Sequence, residues 1–330
     1  MKKVLFILLI LIFGKNLEAQ DGLGFKFINT EYNLNMGVGF SFSVLNLKEF
    51  VFENNKSDKR QSEIDWIINS CGVFDLKLDL KPSNELKNLG LFFSLNSSWY
   101  FPSGAGNVLD VDWDEKGNRF SEVACNIFLE DSFIFDGLLG VGIPINNVFL
   151  MKAGAGVWYS RFYVKALNGY VNQVNRGEDW NYKRYYDLYG MSMSYIQEWI
   201  ILKPEAGFMY ESKKMRFGLD FEYSPLIWGN CIDNHFFKKE DEDDKEQKYL
   251  VYEDKLKQGY FLGLDVYIDF ILKKNLILNL FFDFKTVKNT RGDTDIKTTG
   301  LAGYHVVNKG MAGGGIDIYK YGFIFNFKYL

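Results

Sequence analysis

The sequence predicts an all-β fold: a transmembrane, antiparallel up-and-down β-barrel of about ten strands. Three observations predict it. Apolar and polar residues alternate with period two in segment after segment, the signature of strands with two unlike faces. The connections between those segments alternate between short turns and long polar stretches. Aromatic residues make up 18% of the chain. A barrel in lipid gives them a place, because it turns aromatic and aliphatic side chains outward and polar ones inward.

The chain opens with Met1-Lys2-Lys3, an apolar run from Val4 to Phe13, and Leu17-Glu18-Ala19 before Gln20. A charged start, a short apolar centre and a small residue at the end form the pattern of a secretory signal peptide, read here as residues 1–19. The run is too short to span a bilayer comfortably as a helix. The mature chain then starts at Gln20 or Asp21, and residues 20–330 form one barrel domain. Beyond the signal no run of ~18 apolar residues occurs, so no transmembrane helix is expected. The formal charge is -4; removing Lys2, Lys3, Lys15 and Glu18, a net of two positive charges, leaves about -6. This mild acidity offers no basic footprint for nucleic acid. Cys71, Cys125 and Cys231 are the three cysteines, and their odd number and spacing point to neither a disulfide framework nor a zinc site.

The strand pattern is direct. Phe74, Leu76, Leu78 and Leu80 alternate with Asp75, Lys77 and Asp79. Phe217, Leu219, Phe221 and Tyr223 alternate with Gly218, Asp220 and Glu222. The same holds from Leu262 to Phe270 and from Leu276 to Lys285, and the chain ends on Tyr319, Tyr321, Phe323, Phe325, Phe327 and Tyr329 along one face. Such segments approach the ~9–11 residues that a tilted membrane strand needs. Short turns are expected at Pro82 to Asn88, Ser212 to Lys214 and Lys273 to Asn275. Long polar loops are expected at Ser103 to Arg119, Ala166 to Tyr189, Cys231 to Gln258 and Lys288 to Lys309. Short turns on one side and long loops on the other describe an up-and-down membrane barrel. A water-soluble sandwich or lipocalin-like barrel would also alternate, but would leave the loop asymmetry, the export signal and the aromatic last strand without a reason. Trp99, Tyr100, Trp158 and Tyr159, near strand ends, suit an interfacial belt. The mixed, mostly acidic run 238–246 reads as a solvated loop tip; it lacks the spacing and turn glycine of a calcium loop.

Histidine narrows the search for chemistry, since a base working near neutral pH is most often His. The two histidines are His235 and His305. His235 follows Asp233 by two residues, so in an extended segment both side chains point the same way. The carboxylate can then orient the ring and stabilise its charged form. Asp110 and Asp112 form a second pair with the same spacing. Two close carboxylates resist ionising together, and such a pair can hold and deprotonate a water. Each motif by itself is common, and polar loops or calcium ligands account for most occurrences.

The string Gly106-Asn107-Val108-Leu109-Asp110-Val111-Asp112-Trp113, preceded by Ser62-Glu63-Ile64-Asp65-Trp66 and followed by Asp233-Asn234-His235, resembles the omptins, outer-membrane proteases of Gram-negative bacteria. Phe221-Glu222-Tyr223-Ser224 and Lys309-Gly310-Met311-Ala312-Gly313 extend the resemblance over nearly the whole mature chain. It implies a vase-shaped barrel in the outer membrane with its groove at the outer rim, facing the exterior. By this resemblance Asp110 and His235 hold the attacking water, Asp233 orients His235, Asp112 supports Asp110, and no acyl-enzyme forms. The expected enzyme is an aspartate-type endopeptidase acting on peptide or protein substrates beside basic residues, without metal or cofactor, as a monomer. Glu49, after Lys48, takes the place of one acid of the specificity pocket. Cys231 stands where a second acid is expected, which weakens electrostatic selection of Arg or Lys. As a rival nucleophile Cys231 lies near His235, but the family arrangement gives it no role. Arg161 resembles one member of a basic cluster that grips lipopolysaccharide, so an outer-membrane lipid is a candidate partner and activator. The connection after Trp113 is shorter than in familiar members. The competing functions are a catalytically inactive barrel serving as adhesin or structural protein, and a pore, which a narrow lumen disfavours.

Overall fold

The computed structural model describes residues 25–27, 30–87, 89–104, 106–236, 249–299 and 305–329. The expected signal peptide, the mature N-terminus at Gln20 or Asp21 and the acidic run 238–246 lie outside the described residues. Fourteen strand segments follow in chain order: β1 (Phe25–Phe27), β2 (Thr30–Phe52), β3 (Arg60–Pro82), β4 (Gly90–Tyr100), β5 (Gly106–Trp113), β6 (Arg119–Leu129), β7 (Ser132–Pro144), β8 (Phe149–Gln173), β9 (Arg184–Glu211), β10 (Met215–Ser224), β11 (Ile227–Phe236), β12 (Tyr249–Lys273), β13 (Leu276–Thr299) and β14 (His305–Tyr329). Each pairs antiparallel with its neighbours, and β14 returns to β2 in register from Ala312↔Val51 to Tyr329↔Leu34, which closes the sheet. Three walls of the barrel are interrupted strands: β4 with β5, β6 with β7, and β10 with β11. Two of the breaks contain Pro102 and Pro225, which have no N–H for the ladder. Counted as walls, the ring has about ten strands, as the alternation predicted. The long strands thus form a closed ring instead of a sheet with two free sides.

The four stretches expected as long polar loops are mostly strand. β5 lies within 103–119, the ends of β8 and β9 fill most of 166–189, β11 and β12 reach into 231–258, and β13 and β14 into 288–309. Polar composition was a poor guide here because the hairpins rise past the lipid, where both faces can be wet while the backbone still pairs. Bulges mark the change: register shifts occur between Val287 and Gly292 and between Leu256 and Tyr260, with Asn289 and Gly259 at positive φ. The connection after Trp113 is a tight turn in which the Asp114 carboxylate accepts hydrogen bonds from the Lys116 and Asn118 N–H groups.

Along the lower half the outward faces are apolar: Met36 to Val44 on β2, Phe217 to Tyr223 on β10 and Tyr319 to Phe327 on β14 each expose every second residue. The belt ends near Val44, Trp99, Val157, Ile200, Trp228 and Tyr319. Trp99 stacks on Phe133 at 5.6 Å, and Phe133 meets Tyr159 at 5.7 Å, an aromatic girdle at its upper edge. Tyr100 and Trp158, expected in the same girdle, are instead buried inside the barrel. Successive residues of a strand face opposite sides, so only one of each aromatic pair can meet lipid.

The order of the lumen can be read down β9. Tyr195 is level with Asp233, Gln197 with Cys231 and Trp199 with Gly229, and Lys203 lies lowest. At the bottom Lys203 is ion-paired with Asp136 (3.0 Å), Glu205 (3.4 Å) and Glu222, while Lys285 meets Asp283 (3.0 Å) and Asp265 (3.4 Å). Lys320 bonds Ser98 Oγ (2.8 Å) and Asp75 (3.2 Å). Above these charges lies an aromatic septum. Trp66 stacks on Tyr195 (5.3 Å, 4°), Trp158 packs on Phe261 (5.5 Å) and Tyr100 meets Phe162 edge-on (5.3 Å), all buried. Burying each such ring is worth about 1.5–3 kcal/mol by area. Gly229 makes room for it, since a β-carbon there would overlap the Trp199 ring.

Candidate active site

Above the septum and beyond the lipid-facing belt, two strand ends bring acids and a histidine to the mouth. On β5, Asp110 is opposite Ile64 of β3 and Val123 of β6, and Asp112 is opposite Ser62 and Ser121. The spacing of two puts both carboxylates on one side of the strand, as the sequence implied. Asp110 is buried and Asp112 half-buried. Ser62 favours the charged form of both carboxylates, and Ser121 that of Asp112.

On β11, Asp233 and His235 also share a face. His235 Nε2 lies 2.5 Å from Asp233 Oδ2, and Asp233 is 1% exposed. Tyr252 of β12 presents its ring edge-on to the imidazole at 5.5 Å. Going round the ring, β6, β8 and β9 separate β5 from β11, so the two pairs face each other across the mouth. They are close enough to act on each other. Asp110 and Asp112 both favour the charged imidazole, and His235 favours both carboxylates.

Burial works against the charged form of His235, but Asp233 beside it, with Asp110 and Asp112 opposite, outweighs burial and lifts its pKa to about 9. Burial, reinforced by Asp112, raises the Asp110 pKa far above the ordinary carboxylate value; His235 and Ser62 offset part of the rise. Burial likewise raises Asp112. The two sides therefore compete for protons near neutral to alkaline pH, as a coupled set.

Deeper in the groove, Glu49 of β2 is 3% exposed and points inward, with burial and the charges of Asp233, Asp254 and Asp110 pushing its pKa well up. Its neighbour Lys48 is held by Asp65 at 3.4 Å. Cys231 is buried, and burial, then Asp254, drives its thiol pKa well up. A thiol held protonated is a poor nucleophile. Asp254 was hidden in a presumed loop; it lies on β12 opposite Cys231 and is 2% exposed. Once that stretch is read as strand, the inward spacing Tyr252, Asp254, Leu256 reveals it.

These features meet in a recognisable pattern. A family model described as the omptin family matches residues 30–329. The chain belongs to the omptin family. No curated protein matched it in a sequence comparison. Among solved structures, the outer membrane protease OmpT from Escherichia coli superposes with a TM-score of 0.76 at 18% identity, covering 90% of this chain and 96% of that one. OprG from Pseudomonas aeruginosa (TM-score 0.30, 10% identity, 89% and 95% covered) and the toluene transporter TbuX from Ralstonia pickettii (0.33, 5%, 90% and 90%) superpose far less well. The fold is thus that of an outer-membrane β-barrel of omptin type.

Within this omptin, Arg161 stands on the outer wall above the girdle, where its Nε pairs with Glu198 at 3.3 Å and Nη1 donates to the Asp131 carbonyl at 3.3 Å. It faces away from the lumen, into which the flanking Ser160 and Phe162 are buried. Sequence reasoning missed Asp254, Ser62 and Tyr252. Ser62 belongs to the Ser62–Trp66 string, but nothing in that string says that it is paired across the ladder with Asp112.

Proposed function

We propose that the chain is an outer-membrane endopeptidase whose nucleophile is a water held between Asp110 and His235, with the groove facing the exterior. The observation that carries this reading is the electrostatic contact of the Asp110–Asp112 pair with the Asp233–His235 pair across a mouth sealed below by aromatic rings. A water between them attacks the scissile carbonyl carbon and gives its proton to the Asp110–His235 pair. The C–N bond then breaks and the leaving amine takes a proton back. Asp233 keeps the ring oriented and stabilises its charged form. The septum keeps the site apart from the lumen charges below it.

A base must be free to accept. With both members of the pair holding protons more tightly than usual, the competent form is the one that has lost a proton. Activity should therefore rise with pH above neutrality, towards the pKa of about 9 on His235. Detergent-refolded protein with fluorogenic peptides carrying Arg-Arg, Arg-Lys or Lys-Lys tests the reading. Cleavage should drop about 10²-fold or more in both His235→Ala and Asp110→Ala. Turnover surviving at wild-type level in both variants would remove the mechanism and leave the adhesin or structural reading.

A further inference from the structure

Glu49 and Asp254 form a pair that the water chemistry does not use. Both are buried acids facing the groove, and each has an oxygen, Glu49 Oε2 and Asp254 Oδ1, with no hydrogen-bond partner. Among the described residues no cation is paired with either, although their neighbours Lys48 and Lys255 bind other acids, Asp65 and Glu253. Buried charges are ordinarily paired, because desolvating one alone is costly. Two unpaired acids whose charges act on each other are a site with its counterion missing.

The backbone makes room for that counterion. Glu49 is opposite Gly314 on β14, within the run Gly313-Gly314-Gly315, so the strand beside it carries no side chain at this level. A β-carbon on Gly314 would come within 3.1 Å of Leu256 Cδ1, on the same inward face of β12 as Asp254. Asp254 and Cys231 are cross-strand partners, Cys231↔Asp254, so their β-carbons lie about 4.5–5.5 Å apart. A carboxylate on Asp254 therefore enters nearly the same space as one carried on position 231 would.

We infer that Asp254 is a specificity-determining residue, supplying with Glu49 the two-acid subsite for a basic substrate side chain in place of the acid absent at Cys231. This rests on the endopeptidase reading for its biological meaning, but binding of the cation does not require turnover. The guanidinium or ammonium of the substrate would take up the free oxygens of both acids, with the aliphatic stem along the septum. The site selects by charge: a neutral side chain of equal length leaves both acids unpaired.

The test uses the refolded full barrel. Binding of argininamide, measured by calorimetry, and kcat/KM for paired peptides with Arg or norleucine before the cut are compared in wild type, Glu49→Gln, Asp254→Asn and the relocation variant Cys231→Asp/Asp254→Asn. The Arg-to-norleucine ratio and argininamide affinity should both fall by at least about 30-fold in Asp254→Asn and return substantially when the carboxylate is restored at position 231. A merely structural acid would not be rescued from the neighbouring strand. If Asp254→Asn fails to fold, Asp254→Ser gives the same comparison. An unchanged ratio and unchanged affinity would overturn the assignment. If no peptide is cut even by wild type, yet argininamide binding depends on Asp254, the endopeptidase reading falls and the subsite stands.

Discussion

Replacing Asp233 by Asn leaves the shape of the site and removes the charge that outweighs burial at His235. Holding the ring at a pKa of about 9 rather than the ordinary 6.5 corresponds to about 3 kcal/mol in favour of imidazolium. Asp233 is the largest favourable cause, 2.5 Å away and itself buried. Without it burial dominates, and the ring should titrate well below 9, approaching or passing below 6.5. An amide can also donate its N–H to the imidazole and hold the wrong tautomer, for which a loss of about 10⁴ in kcat is the precedent in serine triads. The expectation for Asp233→Asn is a fall in kcat/KM of about 10²–10⁴, with the surviving activity reaching its plateau at lower pH. A fluorogenic peptide assayed from pH 5 to 10 on refolded wild type and variant reads both. A variant whose rising limb stays where the wild-type limb lies would refute the claim that Asp233 sets the basicity of His235, whatever the drop in rate.

Three further outcomes are expected. Cys231→Ser should keep kcat/KM within about threefold and thiol alkylation should not inhibit, since a buried thiol with a raised pKa has no nucleophile to offer; loss of activity in both experiments would revive the thiol. Lys203→Met should destabilise the barrel by about 3–5 kcal/mol, read as a lower urea midpoint by tryptophan fluorescence, because it removes the cation shared by Asp136, Glu205 and Glu222 and leaves Lys285 alone to serve Asp136 and Glu222; an unchanged midpoint would show that the lumen network is not structural. Asp254→Asn should stabilise the ligand-free barrel. Burial lifts the Asp254 pKa from 3.8 to about 7, so the stability of the folded acid is complete below pH 3.8 and is lost as pH rises to about 7. The gain from Asn should then grow over that window to at most about 4 kcal/mol and level off above it; equal urea midpoints at pH 4 and pH 8 would contradict a costly, unpaired acid.

The sequence carried the barrel because lipid enforces a strict two-sided pattern: Tyr319 to Phe327 can alternate only if one face is wet and the other is not. It carried the spacing of the Asp110–Asp112 and Asp233–His235 pairs because each is local, with two residues on one face of one strand. Where the strands leave the lipid the constraint relaxes, so β5, β11 and the upper ends of β12 and β13 looked like loops. Trp158 and Tyr100 looked like belt residues because a list of aromatics near strand ends ignores which face each takes. The contact between β5 and β11, and the meeting of Glu49 with Asp254, depend on how far round a closed ring each strand sits. That is a property of the whole ladder, and no short window of sequence contains it.

The same closure explains why the acids at the mouth can stay ionisable at all. An acid in the lower lumen is surrounded by lysines, and there Asp136 and Glu222 are neutralised by Lys203 and Lys285. At the mouth the ratio is reversed: Glu49, Asp110, Asp112, Asp233 and Asp254 act on one another with His235 as the cation among them and Arg176 reaching Asp112. The Trp66–Tyr195 and Trp158–Phe261 layer keeps the two populations from equilibrating, since a lysine rising through it would have to desolvate without a partner. An excess of negative charge in a confined, partly wet groove draws cations from solution. On the proposed mechanism, rate and selectivity come from one imbalance: the acids that raise the basicity of His235 are neighbours of those that would take a basic side chain. On that mechanism a basic side chain that neutralised Glu49 and Asp254 would also weaken their repulsion of Asp110 and Asp233, and so alter the protonation of the proposed water-holding pair as it docks.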